Sequence, residues 1–213
     1  MKQIHDLLKK KKLVIFDLDG VLIDSKKNMD LSWRHVKKKN EVHIPFKRYF
    51  QLIGLPFKDI LSKLKINPKI NNYEKIRKDF KKASIDNLNK IKPFKGAAKV
   101  LLKITDQGKK VALMTSKDYT RSRLIIKKFK FFFNHIECGT VKKLGKPNPY
   151  QVNLILKKLK TKKKDAVYIG DMISDVKTAK NAKLDFIYAK YGYGNIKKNY
   201  IKYKINKLAN LIS

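Results

Sequence analysis

Three short apolar runs in this chain each end on a residue able to do chemistry. Leu13-Val14-Ile15-Phe16 leads into Asp17, Val111-Ala112-Leu113-Met114 into Thr115, and Ala166-Val167-Tyr168-Ile169-Gly170 into Asp171. Runs of this length, rich in β-branched side chains, predict central strands of a parallel sheet covered on both faces. In open α/β sheets, ligands gather beyond the carboxyl ends of such strands. Two acidic strand ends and one hydroxyl strand end therefore converge on one crevice. That placement predicts an enzyme.

The rest of the chain sorts into two patterns. Residues 26–91 show helical spacing only, with Leu31, His35 and Val36 on one face of a helix over 28–42. Ile60, Leu61 and Leu64 mark a second over 56–66, and Tyr73, Ile76, Phe80, Ala83, Ile85 and Leu88 a third over 72–91. Pro45, Gly54-Leu55-Pro56 and Pro68 punctuate them. From Pro93 onward helices and strands alternate. Helices are predicted over 97–105, 119–129, 150–159 and 174–183, and further strands near His135–Cys138 and at Phe186–Tyr188. A short terminal helix is predicted over 206–212. The fold class is thus α/β, a Rossmann-like parallel sheet built from βαβ units, with an all-helical insertion. Residues 1–25 and 92–213 form its core and 26–91 the insertion.

Composition closes off several alternatives. At 213 residues, with 43% hydrophobic residues, the chain can bury a substantial core. No run approaches the ~20 apolar residues of a membrane span, and Leu13 to Phe16 is too short for a secretion signal. A cytoplasmic, non-membrane protein is expected. Cys138 is the only cysteine, so no intrachain disulfide forms, and His5, His35, His43 and His135 lack metal-ligand spacing. The net charge of +36 would ordinarily point to nucleic acid. It comes, however, from 48 lysines against 5 arginines, spread along the whole chain. Arginine forks, the usual readers of phosphates and guanine edges, are nearly absent. Nucleic acid is therefore expected only as a non-specific, salt-sensitive partner.

FDLDGVLIDS, LMTS, GKPNP and VYIGDMISD together resemble the four ordered motifs of the haloacid dehalogenase superfamily, in its Mg-dependent phosphatase branch. The match runs over roughly residues 13 to 190. The helical insertion after the first motif resembles the cap of the phosphoglycolate phosphatase and β-phosphoglucomutase group. Val21 departs from the Thr usual in phosphoglycolate phosphatases, whereas Tyr191-Gly192-Tyr193-Gly194 resembles a segment of that same group.

The resemblance implies roles residue by residue. Asp17 is the expected nucleophile, forming an aspartyl-phosphate. Asp19 is the expected general acid and base, since alternate side chains of an extended segment point the same way. Its presence separates a phosphate-ester enzyme from the dehalogenases. Mg²⁺ is the implied cofactor, held by the Asp17 carboxylate, the Asp19 backbone carbonyl and Asp171. Asp175, four residues on, is expected to orient waters or Lys146 without touching the metal. Thr115 and Ser116 are expected to bind the phosphoryl group, with Lys146 screening its charge. Alone, Thr-Ser after a strand also caps a helix, and capping also accounts for one of the acids 171 and 175. Lys47, Arg48 and Lys58 flank the loop expected to select the substrate. The reaction implied is hydrolysis of a small phosphorylated metabolite. A phosphomutase shares the whole site, and a nucleic-acid-binding or polynucleotide-end-processing protein is the alternative of another class. The oligomeric state is not legible.

Overall fold

The computed structural model describes residues 2–68, 72–139 and 144–212. Helix α1 (Lys2–Lys9) precedes strand β1 (Leu13–Phe16), whose four side chains are all buried. A short strand β2 (Ile23–Asp24) follows, then helices α2 (Lys26–Lys39), α3 (Phe46–Phe50), α4 (Phe57–Lys63) and α5 (Tyr73–Asp86). Strand β3 (Lys92–Pro93) returns antiparallel to β2, pairing Ile23 with Pro93. Both strands between which the insertion sits are thus tied to each other at its base.

The α/β part then runs α6 (Ala97–Asp106), β4 (Lys110–Met114), α7 (Tyr119–Phe129), β5 (His135–Glu137), α8 (Tyr150–Lys158), β6 (Ala166–Gly170), α9 (Ile173–Ala182), β7 (Asp185–Ala189) and β8 (Tyr203–Ile205). The six-stranded sheet is parallel throughout, in the order β5-β4-β1-β6-β7-β8. Chain order reverses at β1, which has β4 on one side and β6 on the other. A crevice forms at such a switch point.

The apolar runs do what continuous hydrophobic strands require. Val14 and Phe16 face one core layer, with Val100, Leu101 and Ile104 of α6 packed there. Leu13 and Ile15 face the other, against Val152 and Ile155 of α8 and Ala179 of α9. A third apolar cluster belongs to the helical insertion, built on Trp33, Tyr49, Leu61, Ile76 and Phe80.

Local chemistry sets the helix ends. Asn72 caps α5 by accepting the N–H groups of Glu74 and Lys75, and Asp118 caps α7 by accepting that of Arg121. The third predicted insertion helix stops earlier than expected. Asp86 ends α5, and Leu88–Lys90 tighten into a 3₁₀ turn before β3. The predicted terminal helix is likewise a 3₁₀ turn, Leu208–Leu211. Helices α1 and α3 and strands β2, β3 and β8 were not anticipated. Of these, β2 and β3 have two residues each and carry no periodicity to read.

Candidate active site

Asp17 leaves β1 still within the ladder, its N–H donating to Ile169 O at 2.9 Å. Asp171 follows Gly170 at the end of neighbouring β6, and Thr115 follows Met114 at the end of β4. All three side chains are buried at one sheet edge. Lys146 reaches the same point from the loop before α8. Its ammonium donates to Asp17 Oδ1 at 2.6 Å and to Asp175 Oδ1 at 2.7 Å.

Asp175 sits in the first turn of α9, where a carboxylate complements the helix dipole. Its Oδ2 accepts the N–H groups of Asp171 and Met172 at 3.1 and 2.9 Å. Its Oδ1 accepts Lys146 and the Tyr168 hydroxyl, the latter at 2.8 Å. These four bonds fill what an ionised carboxylate can accept. Asp171 differs. Its Oδ2 accepts the Tyr193 N–H at 2.7 Å, but its buried Oδ1 has no partner among the described residues.

One carboxylate oxygen from each of Asp17, Asp171 and Asp175 lies within 4.8 Å of the others. Burial pushes the Asp17 carboxyl up to about 7, against the opposing pull of Lys146, and Asp175 adds to the rise. Burial, then Asp175 and Asp17, push Asp171 well above the carboxylate range. Burial would lower Lys146, yet Asp17 and Asp175 outweigh it and hold the ammonium above its usual value. Three carboxylates facing one ammonium leave a deficit of positive charge, and Asp171 Oδ1 is an unmatched acceptor. A hard divalent cation with oxygen ligands fits both needs.

The backbone is cut to this geometry. Gly20 adopts φ +84°, and a Cβ there would collide with the Asp171 carboxylate. Gly192 approaches so closely that a Cβ would strike Asp171 as well.

Asp19 lies at the mouth, its side chain 17% exposed, held by Ser25 Oγ and by Lys117 Nζ at 3.2 Å. Burial lowers the Lys117 pKa, and Asp19 works against that fall. Ser116 Oγ does not face inward alone: it donates to Gly54 O of the insertion at 2.8 Å. Between sheet edge and insertion lies a cleft of about 70 Å³. Its floor carries Asp17, Asp19, Thr115, Ser116, Lys117 and Arg121, and its roof Tyr49, Ile53, Leu55, Phe57, Ile60 and Phe80. Lys47, Arg48 and Lys58 are exposed and none of them lines it. The cations of the cleft come instead from the core, as Lys117 and Arg121. Lys117 directly follows Thr115-Ser116, yet among 48 lysines its position gave no signal.

The model of the haloacid dehalogenase-like hydrolases matches residues 14–189. The chain belongs to this family. A phosphorylated carbohydrates phosphatase from Thermotoga maritima is 28% identical over 184 residues, covering 82% of this chain and 83% of the relative. A pyrophosphatase from Halalkalibacterium halodurans is 27% identical, over 79% of each chain. Among solved structures, a hydrolase from Pseudomonas syringae superposes with a TM-score of 0.83 at 21% identity, covering 95% of this chain and 96% of its own. This haloacid dehalogenase-like hydrolase therefore shares its fold with enzymes whose sequences have drifted far from its own. Among its described residues, no helix is long and apolar enough to cross a membrane.

Proposed function

We propose that this hydrolase is a Mg²⁺-dependent phosphatase of small phosphomonoesters, with Asp17 as nucleophile and Asp19 as general acid and base. One observation carries the reading: Lys146 clamps Asp17 beside Asp171, whose Oδ1 lacks a partner, below a cleft floored by Asp19 and Thr115. Curated relatives named for phosphorylated carbohydrates, glyceraldehyde 3-phosphate and phosphoglycolate support a small phosphorylated metabolite as substrate.

When bound by the carboxylates of Asp17 and Asp171 and the Asp19 carbonyl, Mg²⁺ supplies the positive charge a dianionic phosphate needs there. Asp17, fixed by Lys146, attacks phosphorus. The bond to the leaving oxygen breaks as Asp19 passes that oxygen its proton. Water then attacks the aspartyl-phosphate and returns a proton to Asp19, releasing inorganic phosphate and free Asp17. Thr115, through its hydroxyl, and Ser116, through its N–H, hold the phosphoryl oxygens. Asp175 orients Lys146 and the turn after Asp171. Residues 26–91 act as a cap domain on the core formed by 1–25 and 92–213, excluding bulk water during turnover.

The test is direct. Purified protein should release phosphate from p-nitrophenyl phosphate with Mg²⁺ and stop on addition of EDTA. Metal-independent turnover, or none with any phosphomonoester of a broad panel, would overturn the proposal.

A further inference from the structure

Buried tyrosines in this protein satisfy their hydroxyls, with one exception. Tyr168 donates to Asp175, and Tyr188 donates to Gly194 O. The half-buried Tyr73, Tyr191 and Tyr193 donate to Ile66 O, Val21 O and Asp24. Tyr49 is only 4% exposed, yet no hydrogen bond among the described residues uses its hydroxyl. Its ring is buried, but its hydroxyl is not among the sealed polar atoms without partners, so the oxygen keeps access to solvent through the cleft that Tyr49 lines.

The ring is held firmly where it is. Trp33 stacks on it at 4.5 Å, and Phe80, Phe46 and Phe57 surround it with centroids 5.5, 6.0 and 6.4 Å away. Tyr49 lines the cleft with Asp19 and Arg121 opposite. Around it the cap contributes Ile53, Leu55, Phe57, Ile60 and Phe80, none of which can form a side-chain hydrogen bond. Burial raises the Tyr49 pKa, with Arg121 opposing and Asp19 reinforcing, so the phenol stays protonated and is a donor.

Resting on the phosphatase reading, we propose that Tyr49 is the specificity-determining donor of the cap, reserved for one acceptor oxygen on the substrate's leaving group. The substrate class follows from the wall. Apart from Tyr49 the roof offers no side chain able to hydrogen-bond, so the alcohol part is a largely apolar unit bearing one carboxylate, carbonyl or hydroxyl oxygen. Lys117 and Arg121 favour an electronegative group at that position.

Paired esters test this, 2-phosphoglycolate carrying the acceptor and ethyl phosphate lacking it. Tyr49→Phe should lower kcat/KM for 2-phosphoglycolate about 10- to 100-fold more than for ethyl phosphate. The ratio is its own control for folding, since a damaged cap slows both esters alike. Equal losses, or no loss, would overturn the role of Tyr49. Calorimetric binding of both esters to Asp17→Asn protein, with and without Tyr49→Phe, separates this proposal from the reaction it rests on. A Tyr49-dependent difference in affinity without turnover by the wild type would sink the phosphatase reading alone. Turnover with no such difference would sink only the role of Tyr49, and neither turnover nor binding would sink both.

Discussion

The floor and the roof of the cleft are built from opposite materials. The floor is ionic: Asp17, Lys146, Asp175 and Asp171 form one buried network at the ends of β1 and β6. The roof is aromatic and aliphatic, with Trp33 stacked on Tyr49 and Phe80 packed at a tilt against both Tyr49 and Phe57. Buried charges are held by few, short, directional bonds, and any missing partner is costly. Stacked rings are held by area and shape, which tolerate change in graded steps. On the proposed function, chemistry and selection are thereby separated: the floor would carry the reaction and the roof would choose the molecule that reaches it.

The largest effect should come from the floor. Asp17→Asn should cut turnover at least about a thousandfold, as loss of a nucleophile does in other enzymes. Its thermal midpoint should not fall, because removing one of three mutually repelling carboxylates relieves the network. Phosphate release above about 1% of wild type would remove Asp17 from its role and with it the division between floor and roof.

Lys146→Met comes next. It leaves three buried carboxylates without their ammonium, and breaking such a pair costs about 3–5 kcal/mol. The pH dependence has a definite sign. A buried carboxyl raised from its unfolded value of about 4 towards about 7, as for Asp17, binds its proton more tightly when folded. Stability in EDTA therefore falls as pH rises between those values, more steeply in the variant than in the wild type. Urea titrations from pH 4 to 8 would measure it. A variant whose stability grows with pH in that window would contradict the account of the floor.

The roof is tested by Trp33→Ala. Trp33 is fully buried and its indole N–H donates to Ile44 O at 2.8 Å. Its loss should cost about 3–5 kcal/mol, confined to residues 26–91 if these form a separate cap. Hydrogen exchange should then speed up in α2 and α5 while β1 and β6 stay protected. Uniform loss of protection would show that cap and core unfold as one unit.

Sequence and structure agree where a local signal exists. The continuous apolar runs ending at Asp17, Thr115 and Asp171 specify buried parallel strands, and those strands stand side by side as β1, β4 and β6. Helix α7 begins and ends at the residues its spacing predicts. What was not legible depends on residues far apart in the chain. The β2–β3 pair joins positions about seventy residues apart, and Tyr193 reaches both Asp24 and the Ser25 N–H from the far end of the chain. Lys117 owes its place at Asp19 to burial, which no spacing rule reports. Tyr49 has no sequence signal of its own; only its hydroxyl, unpartnered among the described residues on the cleft wall, marks it out.

The smallest effect separates position from chemistry, because residues 26–91 carry an ion pair of their own. Asp79 accepts Lys39 Nζ at 2.8 Å and the Asn40 amide at 3.0 Å. Burial would raise the Asp79 carboxyl, but these hydrogen bonds outweigh it and hold the pKa below the usual value. The Lys39 side chain is 50% exposed, so water and salt screen the pair. Asp79→Asn should therefore cost no more than about 1 kcal/mol, against several for Lys146. The sign is also opposite to that of Asp17. A depressed carboxyl stabilises the fold above its unfolded pKa near 4, and that contribution disappears as pH falls through the lower folded value. Urea midpoints of wild type and Asp79→Asn should differ at pH 7 and draw together as the pH is lowered below the usual carboxylate range. A cost as large as that of Lys146→Met would mean that the cap pair is as isolated from solvent as the floor, and the contrast between them would fail.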